Sequence, residues 1–354
     1  MFGILDRYIG KTIISTILLA LFMLTSLSGI IRFIEQLRRL AENYTAFSAI
    51  NYSLLMVPKD IELFFPIAAL LGALIGLGAL ATKSELVVME TAGFSRICIA
   101  KAVMKTAIPL VILTMALGEW VAPRSEQLAR NMYSEKVYGS ALIASQNSIW
   151  AKDDNNFVHI ERINNDGSIN NIDIYTVKNN KLIKLTHATS GKFENNRWRL
   201  WQVDESDLTD LNKIEGKRLI SYDWETTISP DKLGFVALDP QSLSVSGLYR
   251  YINYLTKNGQ DASNYTLLFW KKIFKPISVA VMMLMALSFI FGPLRMVSMG
   301  VRVIIGIVFG FLFYICDMLF SQISLVVGFN PIIGALLTSF VFFCFSLYLL
   351  RKKR

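Results

Sequence analysis

Residues 12–34 read TIISTILLALFMLTSLSGIIRFI, with Arg32 as the one charged residue in the run. About 20 apolar residues in helical form cross the hydrocarbon core of a bilayer. The run is longer than the apolar region of a secretory signal, which has about 7–15 residues, and no small-x-small cleavage site follows it. Residues 12–34 therefore predict a retained membrane-spanning helix.

Apolar residues concentrate at both ends of the chain and leave a polar stretch in the middle. The chain is 53% hydrophobic and 18% charged, whereas about 25% of the residues of an average soluble domain are charged. This division predicts three helices in residues 1–121, a polar domain in residues 122–268 and three helices in residues 269–354. The six predicted spans are 12–34, 61–82, 102–121, 276–294, 301–324 and 329–350.

The polar stretch alternates apolar and polar residues in the manner of β-strands over residues 148–226. Asparagine-rich segments, which suit tight turns, separate the strands at 164–167, 179–180 and 195–196. Short strands between such turns predict an antiparallel sandwich or barrel, and the leucine spacing beyond Pro240 predicts a helix leading back to the membrane. The predicted fold is an α-helical membrane protein with six transmembrane helices and an all-β domain between helices 3 and 4.

Basic residues in the short loops predict the orientation of the spans, because cytoplasmic loops carry an excess of Lys and Arg. With the N-terminus inside, twelve such residues are cytoplasmic and four (Arg32, Arg38, Arg39 and Lys59) are outside. We therefore expect both termini in the cytoplasm and the β domain on the outer side. The cytoplasmic cations would be Arg7, Lys11, Lys83, Arg96, Lys101, Lys105, Arg295, Arg302, Arg351, Lys352, Lys353 and Arg354.

A band of outer cations departs from this rule, since Lys271, Lys272 and Lys275 open the fourth span. Long translocated domains are largely exempt from the charge rule, so the predicted topology stands. An anionic ligand is one explanation for the band.

The four cations of the outer short loops allow two interpretations. Arg32 can reach the interface by snorkelling, and Glu35 can pair with Arg38 or Arg39 at i+3 and i+4 if the helix continues. Alternatively, Arg32, Arg38, Arg39 and Lys59 bind phosphates, which Arg contacts bidentately and Lys contacts as a point charge.

The loop between the second and third spans predicts a short cytoplasmic helix over about 84–93. Ser84 can cap it, Glu85 suits its positive end and Gly93 can end it. Leu86, Val87, Met89 and Glu90 would present a mixed apolar and acidic surface. A helix lying on lipid is one interpretation, but such helices carry Lys and Arg on their polar face, so a protein partner is favoured.

The residues give little support to chemistry within this chain. Both histidines, His159 and His187, fall in the polar domain, and the three cysteines lack metal-ligand spacing. Gly10-Lys11-Thr12 lacks the first glycine and the preceding strand of a phosphate-binding loop. We predict a non-enzymatic subunit without a metal or cofactor, so that any ATP hydrolysis belongs to a partner.

Two features inside the predicted spans have structural and functional interpretations. Asp317 lies in the fifth span, where a carboxylate marks a proton path or an interhelix pair, and a structural pair is favoured. Gly72 and Gly76 follow Ala68 by one and two turns and give the second span a small-residue face for close helix packing.

Several strings along the chain resemble the LptF/LptG permease family of lipopolysaccharide export. The opening string is similar to the LptG branch rather than the LptF branch. The strings are FGILDRYIGKT at 2–12, VPKD at 57–60, SELVVM at 84–89, GEWVAP at 118–123, FGPLR at 291–295 and PIIGA at 331–335.

The resemblance implies an inner-membrane permease with six helices and an outer β-jellyroll. It implies a heterodimer with LptF on an LptB ATPase dimer, with LptC beside the first helix, and transfer of lipopolysaccharide towards the periplasmic bridge protein LptA. In the family, residues matching Arg32, Arg38, Arg39 and Lys59 contact lipopolysaccharide phosphates; relatives carry Lys at the first three. The helix of Ser84, Glu85, Leu86, Met89, Glu90 and Gly93 resembles the helix that docks in the ATPase.

Two other classes of protein are less compatible with the sequence. A membrane-anchored receptor or scaffold, whose outer domain binds a periplasmic partner, accounts for the β domain but does not need six helices, outer cations or an acidic cytoplasmic helix. An intramembrane hydrolase would need paired aspartates or a serine with a base, and the predicted spans offer neither.

Overall fold

The computed structural model describes residues 3–40, 43–138, 149–164, 167–179, 181–194, 197–210, 213–226, 228, 240–292 and 297–351. The predicted cytoplasmic cations Arg295, Lys352, Lys353 and Arg354 lie outside the described residues. So do the predicted turn residues Asn165, Asp166, Asn180, Asn195 and Asn196.

Helices make up both ends of the chain and strands make up its middle. The helices are α1 (Ile4–Leu37), α2 (Ala46–Leu55), α3 (Val57–Thr82), α4 (Glu85–Thr91), α5 (Arg96–Ala116), α6 (Ala122–Tyr138), α7 (Val245–Lys257), α8 (Ser263–Phe291), α9 (Met299–Val327) and α10 (Pro331–Arg351). The strands are β1 (Ile149–Asp153), β2 (Asn156–Ile163), β3 (Ile169–Lys178), β4 (Lys181–Glu194), β5 (Arg197–Asp207) and β6 (Glu215–Trp224).

Six helices are long and apolar enough to cross a membrane, as predicted. The third of them is the run Arg96–Val137, which includes a π-helical turn at Leu117–Val121 between α5 and α6. The sequence prediction ended this span at residue 121 because the residues beyond it are polar. Helical geometry continues past the apolar segment, so the helix is longer than its predicted membrane portion.

The described chain forms two compact units. One consists of Met1–Arg32, Met56–Arg124 and Ser263–Arg354, and the other of Phe33–Leu55 and Ser125–Ala262. The second unit includes the β-strands, and it also takes in the segment that follows the first span. The division into 1–121, 122–268 and 269–354 stays a prediction.

In the first unit, α3 is a central helix whose glycines face its neighbours. The Thr16 hydroxyl of α1 donates to the Gly72 carbonyl at 2.7 Å, and a Cβ on Gly72 would lie 2.5 Å from the Cα of Ile17. Close approach of α1 and α3 therefore requires glycine there, as the predicted small-residue face implies. On α9, a Cβ on Gly310 would lie 2.8 Å from the side chain of Ile67.

The second unit contains one antiparallel sheet whose six strands pair in chain order. Alternate residues point into its core, where Val158, Ile172 and Trp198 are buried. The Trp198 indole donates to the Ile228 carbonyl at 2.7 Å, and the Tyr254 hydroxyl of α7 donates to the Lys152 carbonyl at 2.8 Å. The expected antiparallel β domain between the third and fourth spans is confirmed.

Candidate functional site

An ion pair joins the end of the first span to the start of the second. The Arg32 guanidinium donates from both terminal nitrogens to the two oxygens of Asp60, each at 2.7 Å, and Asp60 is 2% exposed. A bidentate pair of this kind is strong and directional. The sequence interpretations gave Arg32 snorkelling to the interface or a phosphate, and missed Asp60 because the two residues are distant in the chain.

A second group of charges lies between α3 and α8. Glu62 accepts from Lys272 at 3.5 Å and from Lys275 at 3.4 Å, and the three side chains are 14%, 15% and 23% exposed. The π-helical turn comes close to the same carboxylate: a Cβ on Gly118 would lie 2.7 Å from the carboxyl carbon of Glu62. Glycine at this position therefore leaves room for the carboxylate.

A third pair joins α8 to α9. The Lys271 ammonium lies 2.5 Å from a carboxylate oxygen of Asp317 and donates to the Ser321 hydroxyl at 2.9 Å. This interhelix pair agrees with the structural interpretation of Asp317. The position of Lys271 on the neighbouring span could not be read from spacing along α9.

Together these residues form what we call the ionic belt: Arg32, Asp60, Glu62, Lys271, Lys272, Lys275 and Asp317. Successive spans run in opposite directions across a bilayer. The end of α1, the start of α3, the start of α8 and the later part of α9 therefore lie towards the same membrane face. Carboxylates of the chain itself therefore pair with much of the predicted band of outer cations.

The remaining predicted phosphate ligands fall in different places. Lys59 is half-buried in the first turn of α3, in the first unit, whereas Arg38 and Arg39 are exposed and belong to the second unit. Helix α1 ends at Leu37, and Glu35 forms no ion pair with either arginine in the described chain. Convergence of Arg32, Arg38, Arg39 and Lys59 on one ligand stays a prediction.

The predicted short cytoplasmic helix corresponds to α4. The start of the helix differs from the prediction, and its end agrees with it. Ser84 has a left-handed backbone (φ 62°) and its hydroxyl caps nothing, so its predicted capping role is wrong. Gly93 ends the helix with φ 93°, and the amide of Phe94 donates to the Met89 carbonyl at 3.0 Å. This pattern is a Schellman motif.

The surface of α4 differs from the predicted one. Leu86 and Met89 are buried in the apolar core of the first unit, so the expectation that they are exposed is wrong. In α4 only one short face can pack inward, and these two residues, three positions apart, occupy it. The exposed apolar side chains of α4 and its junction with α5 are Val87, Val88, Phe94 and Ile97, which we call the junction patch.

The two glutamates of α4 are tied to neighbouring helices. Tyr8 of α1 donates its hydroxyl to Glu85 at 2.7 Å, and Arg96 of α5 pairs with Glu90 at 3.1 Å. Glu85 therefore links α4 to the first span. The coupling roles predicted for Ser84, Glu85, Leu86, Met89, Glu90 and Gly93 stay a prediction.

Arg302 is a buried cation whose structural place the sequence did not reveal. It is 2% exposed and donates to the Gly78 carbonyl at 2.8 Å and to the Thr82 hydroxyl at 3.2 Å. The last carbonyls of a helix lack intrahelical donors and carry partial negative charge. Arg302 of α9 thus adds a charged donor to the Gly78 carbonyl, which also accepts from the Thr82 hydroxyl at 2.8 Å, at the end of α3 that leads into α4.

Among the described residues, no group of three or more His, Cys, Asp or Glu side chains could hold a metal ion. The ionic belt joins helices of the first unit through charge pairs, and the helices of this unit expose many apolar side chains. Such a unit can bind an amphiphile through its cations and apolar surface.

Comparisons with known proteins agree with this arrangement. Residues 7–352 match the family described as lipopolysaccharide export system permease LptF/LptG. The chain is 58% identical over 356 residues, 99% of each chain, to the lipopolysaccharide export system permease protein LptG of Escherichia coli (strain K12). It is 48% identical over 358 residues, 100% of each chain, to the protein of the same name in Haemophilus influenzae.

Proposed function

This chain belongs to the LptF/LptG family of lipopolysaccharide export permeases, and from that membership we propose how its residues take part in export. It is a multi-pass inner-membrane subunit that receives lipopolysaccharide laterally from the bilayer. Arg32, Arg38, Arg39 and Lys59 attract the phosphates of the lipid. The apolar walls of the helices take its acyl chains.

The exposed apolar surface of α1 is the observation that carries this proposal. Leu19, Phe22 and Met23 are exposed along the helix that ends beside the cations. In a bilayer such a face contacts lipid or another helix. We propose that the lipid enters between α1 and the fifth helix of a sister permease, LptF.

Energy enters from partners on the opposite membrane face. We propose that an LptB ATPase dimer binds the junction patch, that LptC joins beside α1, and that expelled lipid passes through the β domains to LptA. The patch supports a protein contact because four apolar side chains are exposed around α4 with few charges between them. ATP hydrolysis is assigned to LptB, with both termini of this chain in the cytoplasm and its β domain in the periplasm.

Charge reversal tests the cation role. We expect Arg38→Glu with Arg39→Glu to weaken lipopolysaccharide binding by the purified complex at least tenfold, because two attractive charges become repulsive. Both side chains are exposed, so the melting temperature of the complex should change little. The matched control is the Lys–Lys double variant, which keeps both charges. Unchanged binding by the Glu variant would remove the cations from the proposal.

Affinity purification from the native host tests the coupling role. We expect an ATPase and a sister permease to accompany the wild type in stoichiometric amounts and to be lost with Glu85→Lys. Because this change also removes the hydrogen bond from Tyr8, the matched control is Tyr8→Phe, which loses the bond and keeps the carboxylate. If both variants lost the partner proteins equally, the role of Glu85 would be to hold α4 against α1 through Tyr8. A chain that purifies alone would favour a receptor or scaffold.

A further inference from the structure

The Glu62 cluster, which consists of Glu62, Lys272 and Lys275, carries more positive than negative charge. Two ammonium groups share one carboxylate at 3.4–3.5 Å. The adjacent Lys271 does not change the balance, because Asp317 neutralises it. Within the described residues, Lys272 and Lys275 contact no other carboxylate, so the cluster has an excess of one positive charge.

The two lysines also retain hydrogen-bonding capacity. A Lys ammonium has three N–H donors, and each of these two directs one interaction at Glu62 within the described chain. Donors left over in largely buried surroundings cost free energy unless an acceptor reaches them. An anion with several oxygens satisfies both requirements, since it adds negative charge and several acceptors.

The position of the cluster favours a lipid headgroup over a free ion. Lys272 and Lys275 stand one turn apart in the first half of α8, the membrane-spanning helix that follows the β domain. Lysine side chains at such depths reach towards the headgroup layer. The side chains of Lys272 and Lys275 keep 15% and 23% of their surface exposed, so they are not sealed off from that layer.

We propose that the Glu62 cluster is a second anion site, separate from Arg32, Arg38, Arg39 and Lys59, that binds the phosphate of a lipid headgroup. The lipid is either the transported lipopolysaccharide or an acidic phospholipid of the bilayer. The first alternative rests on the proposed function, and the second does not. Glu62 sets the charge excess and positions the two lysines.

Two variants separate charge balance from the loss of a particular side chain. Lys275→Gln leaves one lysine and one carboxylate, so the excess disappears. Glu62→Gln combined with Lys275→Gln leaves Lys272 alone, so the excess of one charge is kept. Should Lys275→Gln fail to fold, Lys272→Gln makes the same change of charge.

The measurement is the affinity of the intact purified complex for lipids, by native mass spectrometry in a neutral detergent. The probes are phosphorylated lipopolysaccharide, the same molecule after dephosphorylation, and phosphatidylglycerol. We expect Lys275→Gln to lose about tenfold in affinity for at least one phosphate-bearing lipid. The double variant should stay within about twofold of wild type, and the dephosphorylated lipid should not distinguish the variants.

The outcomes identify the ligand or overturn the site. A loss confined to lipopolysaccharide names the substrate, and a loss confined to phosphatidylglycerol names the bilayer lipid. Wild-type affinity in Lys275→Gln for both lipids would overturn the proposal, as would an equal loss in the double variant. If the wild type bound phosphatidylglycerol through this cluster but no lipopolysaccharide, the proposed function would fail and the anion site would stand.

Discussion

At the scale of single residues, the charges inside the membrane portion are ordered by partners that lie far away in the chain. The sequence predicted correctly that Arg32 and Asp317 need compensation, because an isolated charge in hydrocarbon is costly. It could not predict Asp60 and Lys271 as the partners, since each pair joins different helices. Local i+3 and i+4 spacing paired Glu35 with Arg38 or Arg39 instead, and the end of α1 at Leu37 removed that option.

Asp60→Asn tests the Arg32 pair. The change leaves a guanidinium without its carboxylate in a site where Asp60 is almost fully buried. We expect a loss of roughly 2 kcal/mol in stability, measured as a lower melting temperature of the purified complex. Glu35→Gln, at an exposed position without an ion pair among the described residues, is the control and should leave the melting temperature unchanged. A variant as stable as wild type would show that the pair contributes nothing.

Arg302→Met tests the contact at the end of α3. Methionine keeps much of the apolar stem but removes the guanidinium that donates to the Gly78 carbonyl and to the Thr82 hydroxyl. We expect a loss of roughly 2–3 kcal/mol in stability and faster proteolysis of the α3–α4 connection. Lys105→Met removes an exposed pair with Asp6 and serves as the comparison, with little expected change. Equal effects in the two variants would contradict a special role for Arg302.

At the scale of elements, hydrophobic patterning found the six spans and the strands, and exposure was harder to predict. The helical and the strand periodicity can each be read from a short stretch of sequence, so they are recognisable without knowledge of the fold. The burial of Leu86 and Met89 depends on which side of α4 the rest of the first unit covers, and a seven-residue helix is too short to carry that signal. The junction patch is therefore visible only in three dimensions.

Gly72→Ala tests the packing of α1 on α3. The new Cβ would meet the backbone of Ile17 at 2.5 Å, so the helices must separate. We expect a loss of about 1–3 kcal/mol in stability, followed by thermal unfolding of the complex. Gly29→Ala in α1 is the control, because nothing lies within 4 Å of its Cβ position. This control should be neutral or slightly stabilising, since alanine favours helix.

At the scale of the whole molecule, the chain consists of two units whose surfaces suit different surroundings. The first unit exposes apolar helix faces that only lipid or other helices can cover, and the second has the alternating pattern of a sheet in water. Composition alone predicted a polar stretch between two apolar ends, because it sums over many residues. The assignment of 33–55 to the second unit was missed, since that segment has no strand signal and contains the apolar helix α2.

Cysteine labelling tests the predicted topology. Cys98, exposed at the start of α5, should react with a membrane-impermeant maleimide only after the inner membrane is opened. The variant Lys213→Cys, at an exposed position before β6, should react in intact spheroplasts when Cys98, Cys316 and Cys344 are first replaced by serine. If Lys213→Cys does not react, labelling a denatured sample in parallel shows whether the thiol is still present. The reverse pattern of labelling would invert the chain in the membrane.

The close approach of the π-helical turn to Glu62 has a consequence for how this family can vary over time. Any side chain at position 118 would push the carboxylate away from Lys272 and Lys275. A lineage that acquires alanine at 118 is therefore expected to give up the acid at 62 and, with it, one of the two lysines. The three helices are expected to evolve as a linked set at these positions, with single replacements disfavoured and compensated combinations tolerated.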